Sequence, residues 1–225
     1  MNQLNIRAFA GLLQLLIIMA ATIFLPAWTL DYWQAWVLLA VFFGSVLAIS
    51  LYLMKNDPKL LERRVNAGVG AEHERSQNII QAFAALAFIA IFVVSALDHR
   101  FVWSTVPGYL TAFGNILVAF GFYFVFLVFK ENSFASGTIE VGAEQRVIAT
   151  GPYALVRHPM YIGALVMLAG VPFALGSLWG LLALIPMALL LVARLLDEEK
   201  FLAKNLAGYQ AYQSKVKHRL IPLIW

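Results

Sequence analysis

Six apolar runs organise the chain, at roughly 9–28, 33–54, 79–97, 109–129, 161–175 and 178–195. The first four are each long enough to cross a hydrocarbon layer of about 30 Å at ~1.5 Å per helical residue. The fifth is shorter and contains Pro172, the sixth contains Pro186, and the link Leu175-Gly176-Ser177 between them carries no charge. This pattern predicts four transmembrane helices followed by a helical hairpin that does not reach fully across. Asn56-Asp57-Pro58 reads as the stop and turn that ends the second run. The first run is too long for the h-region of a signal peptide and has no clear small-x-small site after it, so it reads as a retained helix.

Composition sharpens this picture. Of the 225 residues, 62% are hydrophobic and 12% charged, about half the ~25% charged share of soluble domains. The expected fold is therefore all-α and integral to the membrane, with about six spans. Cysteine is absent, which excludes disulfides, thiolate metal sites and a cysteine nucleophile. The net charge of +4 points to loop orientation rather than to nucleic acid. In a six-span arrangement, fifteen of the sixteen lysines and arginines fall on one side and only Arg100 falls on the other. The positive-inside rule then places both termini in the cytosol, at the plasma membrane if the source is bacterial. Trp28, Trp33, Trp36 and Trp103 suit an aromatic belt at the opposite face.

Two regions are expected: a four-helix transmembrane part, 1–130, and a catalytic part, 131–225, made of a polar loop, the hairpin and an amphipathic tail. The second part holds most ionisable residues outside loop 55–78. Residues 138–142 alternate polar and apolar positions and read as a short extended segment that leads to a turn at Gly151-Pro152. Pro159 suits the first turn of the fifth helix, where its missing N–H costs little. The free N–H groups there, beside Arg157 and His158, form a positive pole that favours an anionic group. A solvated loop and cations reaching for lipid headgroups remain the bland alternatives. Arg194 and Glu198 are four apart at the exit of the sixth run and share a helix face, either as an exposed ion pair or as part of a site. Tyr209 and Tyr212 mark one face of a tail helix that lies on the membrane or covers a pocket. The hairpin returns Arg194 and Glu198 to His158 and Tyr161. A zwitterionic ligand fits such a pocket, its carboxylate at the helix pole and its ammonium at Glu198.

These residues carry a family resemblance. Gly151-Pro-Tyr153, Arg157-His158-Pro159-x-Tyr161-x-Gly163, Arg194-x-x-x-Glu198-Glu199, Tyr209-x-x-Tyr212 and Pro222 resemble the isoprenylcysteine carboxyl methyltransferases, over about residues 131–225. The related phospholipid methyltransferases share parts of the pattern. The resemblance implies a membrane methyltransferase that uses S-adenosyl-L-methionine without a glycine-rich dinucleotide fold. It implies a cofactor site of Gln145, Arg146, Val147, Ile148, Tyr153, His158, Pro159, Met160, Tyr161 and Glu198, with Arg194 facing the acceptor. The acceptor is expected to be a lipophilic small molecule or a lipidated partner that enters from the bilayer. The stretch between Glu199 and Tyr209 is about a residue shorter than in the eukaryotic enzymes, and loop 55–78 has no counterpart in the family pattern.

Two other readings compete. Sterol-type membrane reductases that use NADPH also have an Arg-His pair before a helix, but follow it with an Asn and a Gly-acidic ending where this chain has Pro159-Met160-Tyr161 and Gly163-Ala164. A non-catalytic membrane protein, such as an assembly factor or small transporter, is the other. The charges gather at one interface and none marks a path through the bilayer.

Overall fold

The computed structural model of the chain describes residues 3–68, 70–72, 74–142, 144–222 and 225. Five of its helices are long and apolar enough to cross a membrane: α1 (Gln3–Ala27), α2 (Trp33–Asn56), α4 (Arg75–Phe101), α5 (Gly108–Glu131) and α7 (Gly180–Asn205). Three helices are shorter: α3 (Pro58–Val65), α6 (Pro159–Ala174) and α8 (Tyr209–Lys215). The fold is all-α, as the apolar pattern predicts, and no strand forms among the described residues. Residues 138–142, expected to be extended in part, are irregular.

The apolar runs locate the helices but not their ends. α7 continues ten residues past its apolar stretch and carries Arg194, Glu198 and Glu199 in unbroken helix. Those residues stay helical because their partners lie inside the protein. The Asn56-Asp57-Pro58 stop is followed at once by α3, where Asp57 accepts from the Leu60 N–H at 3.0 Å and Pro58 occupies the first turn. This cap and Pro pairing is a strong helix start. Leu60 and Leu61 of α3 are buried against Ala8, Leu53 and Phe129.

α6 is 16 residues long, about 24 Å of helix, less than a full hydrocarbon thickness. It runs antiparallel to α7 through a tight link, yet its principal packing partner is α5, while α7 packs chiefly on α4. The α5–α6 contact rests on glycines spaced seven apart on both helices. A Cβ on Gly114 would lie 2.7 Å from the Gly170 carbonyl oxygen, and one on Gly121 would lie 2.6 Å from that of Gly163. Without a hydrophobic drive between lipid-embedded helices, such close backbone approach is what dispersion needs.

At one end of the bundle a buried polar knot ties α4 to the α6–α7 link. Asp98 accepts from the Ser177 hydroxyl at 2.6 Å and from the Ser104 hydroxyl and backbone N–H. Tyr32 stacks on His99 with ring centroids 3.7 Å apart and donates to the Leu175 carbonyl. Exposed Trp28, Trp33, Trp36, Trp103 and Trp179 surround this end. The opposite end gathers the start of α1, α3, the loop after α5, the start of α6 and the end of α7, as Arg7 to Asn66 and Arg63 to the Ser133 carbonyl show.

Candidate functional site

His158 sits immediately before α6, with Pro159 as its first helical residue. Glu198 comes from the far end of α7, 40 residues on, and its Oε2 lies 3.9 Å from His158 Nδ1. Tyr161, on the first turn of α6, donates to the same Oε2 at 2.8 Å. The acidic exit of α7 therefore meets the basic entrance of α6, the arrangement the hairpin reading requires.

Arg157 and His158 do not reach for lipid. Both are buried, and both turn to Glu199. Arg157 Nε donates to Glu199 Oε1 at 2.5 Å, His158 Nε2 lies 3.3 Å from the same oxygen, and Arg219 Nε donates to Oε2 at 2.8 Å. Arg157 also donates to the Val216 and Lys217 carbonyls, and the N–H groups of Arg157 and His158 donate to the carbonyls of His218 and Arg219. Glu199 is thus a buried anchor that fastens the C-terminal segment across the mouth of α6. A carboxylate held by three basic groups is not available as a general base.

The fastened tail closes a cleft of about 690 Å³, counting the part open to solvent. Gln145, Arg146, Val147, Ile148, Tyr153, His158, Met160 and Glu198 all line it. Pro159 and Tyr161 do not: Pro159 is buried in the helix start, and Tyr161 faces a second cavity described below. The turn that leads in uses Gly151 at φ +55, where a Cβ would press on Glu131. Thr150 is hydrogen-bonded to that Glu131.

Tail residues complete the cleft. Tyr212 donates to the Tyr153 carbonyl at 2.7 Å, and Tyr209 and Tyr212 pack with Val147 and Leu202. Burial and the charge of Glu198 push the Tyr153 phenol up to about 12, against an opposing effect of the amide of Asn132, so it stays neutral at physiological pH. The Tyr209 hydroxyl is buried with no partner among the described residues, and buried polar groups are normally satisfied. The backbone groups of Arg146, Val147 and Ile148, in an exposed to half-buried stretch, make no hydrogen bond to other described residues and are open to a ligand with several hydrogen-bonding groups. The residues present suit S-adenosylmethionine in that respect: unpaired backbone and phenol for a polar ring, a positive helix pole for a carboxylate, and Glu198 for a cation.

A second cavity adjoins the first. It is lined by Tyr161, Met187, Leu190, Leu191 and Arg194, among others, and shares Met160, Glu198 and residues 136, 138 and 139 with the cleft. Arg194 does not pair with Glu198. Its Nη2 donates to Glu72 Oε1 at 2.6 Å and to the Gly137 carbonyl at 2.8 Å, and its Nη1 donates to Gln77 at 3.2 Å. Glu72 also accepts from the Ile139 N–H. Sequence reasoning missed Glu72, which lies 122 residues from Arg194 in a loop without periodicity. It also missed Asn132 and Phe134 in the cleft wall, where no motif marks them.

No curated protein matches the chain. Residues 109–208 match the family model described as phospholipid methyltransferase. That stretch begins at α5, earlier than the motifs alone suggested, and ends just before the Tyr209 tail. It spans α5, α6 and α7 with the cleft between them, and in this region the chain is similar to the phospholipid methyltransferase family, which is related to the isoprenylcysteine carboxyl methyltransferases.

Proposed function

We propose that the protein is an integral membrane methyltransferase that takes its methyl group from S-adenosylmethionine and transfers it to a lipophilic acceptor. The favoured reaction is carboxyl O-methylation of the isoprenylcysteine type or methylation of a related lipid. One observation carries this reading: a polar, tail-covered cleft and a partly apolar cavity meet at Met160 and Glu198. A water-soluble donor and a greasy acceptor each have a compartment, and the shared wall is where they come together.

The division of labour follows. Glu198, positioned by Tyr161, balances the positive charge of the donor. Val147, Ile148, Tyr153 and Tyr209 enclose its ring, and the start of α6 holds its carboxylate. When bound, the donor supplies an electrophilic methyl on sulfur: an acceptor carboxylate oxygen forms the C–O bond as the C–S bond breaks and its electron pair stays on sulfur. No proton moves. An amine acceptor would need a base, and Glu199 is committed to Arg157, His158 and Arg219. This favours an acceptor already ionised at neutral pH. Holding the two reactants in line and excluding water is then the main catalytic contribution.

The one-sided lysines and arginines support a cytosolic cleft. Membrane vesicles of both orientations, given donor with a labelled methyl group, test the whole reading. Inverted vesicles should accumulate label in a solvent-extractable product and sealed right-side-out vesicles should not. Absence of labelled product in inverted vesicles, with the protein present and folded, contradicts it.

A further inference from the structure

The second cavity contains two guanidinium groups in unlike states. Arg194 is satisfied by Glu72, Gln77 and the Gly137 carbonyl. Arg64, at the end of α3, is not. Among the described residues it makes no ion pair, although every aspartate and glutamate of the chain is described. Its one hydrogen bond to oxygen runs from Nη1 to the Ser136 carbonyl at 3.3 Å, with the Met160 sulfur at 3.9 Å from the same nitrogen. A guanidinium has five N–H donors in a planar fork, so the described residues leave most of this fork without a partner. Its Cζ lies over the Phe129 ring, 5.2 Å from the centroid. Gly137 makes the position possible: a Cβ there would fall 2.3 Å from the Ala67 Cβ and 3.6 Å from Arg64 Nη1.

The neighbouring charges agree. The groups that face this cavity are Arg64, Arg194 and Glu198. Glu72 stands behind Arg194 and offsets it. Glu198 is bound to Tyr161 and shared with the cleft. The two guanidinium groups and the carboxylates of Glu72 and Glu198 balance in number, but no described carboxylate lies within ion-pair distance of Arg64, at the cavity wall beside Met160. Burial lowers the pKa of Arg64, and the nearby Arg194 charge adds to that effect, with Tyr161 opposing. A half-buried cation without an ion-pair partner gains from an incoming anion.

We infer that Arg64 is the acceptor-recognition residue of this site, reading an anionic head group, carboxylate or phosphate, on a lipophilic molecule in the second cavity. This rests on the methyltransferase reading for its purpose but not for its test. Arg194, held by Glu72, is then a positioning residue that fixes the 136–139 wall common to both compartments.

The test uses the full chain in nanodiscs and separates the two anion sources. One arm compares a long-chain fatty acid with its methyl ester, the other compares phosphatidic acid with diacylglycerol of the same chains. Binding is read by thermal shift and by competition with a fluorescent lipid. The unaltered protein should prefer the anionic member of at least one pair by about tenfold or more. Arg64→Gln should abolish that preference, Arg64→Lys should retain part of it, and S-adenosylhomocysteine affinity should stay within about twofold in both, which also shows that the variants fold. An anion preference that survives in Arg64→Gln, or no preference in the unaltered chain, overturns the assignment. Failure of the unaltered chain to bind S-adenosylhomocysteine would count against the methyltransferase reading alone.

Discussion

Glu72 and Arg194 are both buried and are 2.6 Å apart, so each is the reason the other is tolerated there. Breaking a buried pair by removing one partner costs about 3–5 kcal/mol, whereas removing both costs much less. Arg194→Gln and Glu72→Gln should each lower the thermal midpoint in detergent, and the double variant should recover at least half of that loss. Additive losses would show that the pair is not coupled. The same comparison bears on turnover. Arg194→Gln should reduce transfer more than S-adenosylhomocysteine binding, because Arg194 lines the second cavity and not the cleft. At this scale the sequence was informative only where residues were close in the chain. Arg157, His158 and Glu198 drew attention because charges at the mouths of apolar helices are costly. Which carboxylate answers which cation was not legible. Glu199, placed beside Glu198, turns to the opposite set of partners, and Glu72 looks like any residue of a solvated loop.

Helix packing is set by backbone approach rather than by side-chain bulk. A Cβ on Gly170 would sit 2.6 Å from the Gly114 carbonyl oxygen and 2.9 Å from the Val118 nitrogen. Neither is the end of a flexible side chain, so α5 and α6 must separate to admit a methyl group. Gly170→Ala should destabilise by about 1–3 kcal/mol, the range for overpacking, and should weaken cofactor binding because α6 carries His158 and Met160 into the cleft. Gly44→Ala, with nothing within 4 Å, should change the thermal midpoint little. Equal effects of the two would refute the close-packed α5–α6 contact. The seven-residue spacing of these glycines is visible in the sequence, and small residues at that interval on two apolar runs are a readable signal. α3 was hidden for a different reason: eight residues cover barely two turns, too few for periodicity to stand out from a polar loop. The helix past the sixth apolar run was legible as far as Lys200 from the four-residue spacing of Arg194 and Glu198, and its last turn to Asn205 was not.

Across the whole molecule, the six apolar runs and the one-sided basic residues anticipated a membrane bundle with its polar business at one end. That much follows from the bilayer, which forces backbone groups to be satisfied within helices. The cleft itself depends on three distant segments, the loop after α5, the junction before α6 and the tail after α7, meeting at the end of α7. The Glu199 anchor and Tyr212 hold the tail there, and without them there is no covered cleft. The proposed function stands on a sulfonium-type ligand in the cleft that His158 and Glu198 line. Titration calorimetry of S-adenosylhomocysteine into the purified protein, beside Glu198→Ala, tests it directly. The account predicts a single site in the unaltered chain and at least about 100-fold weaker binding in the variant, with NADPH giving no heat in either. Unchanged affinity in Glu198→Ala, or binding of NADPH in place of S-adenosylhomocysteine, would contradict it.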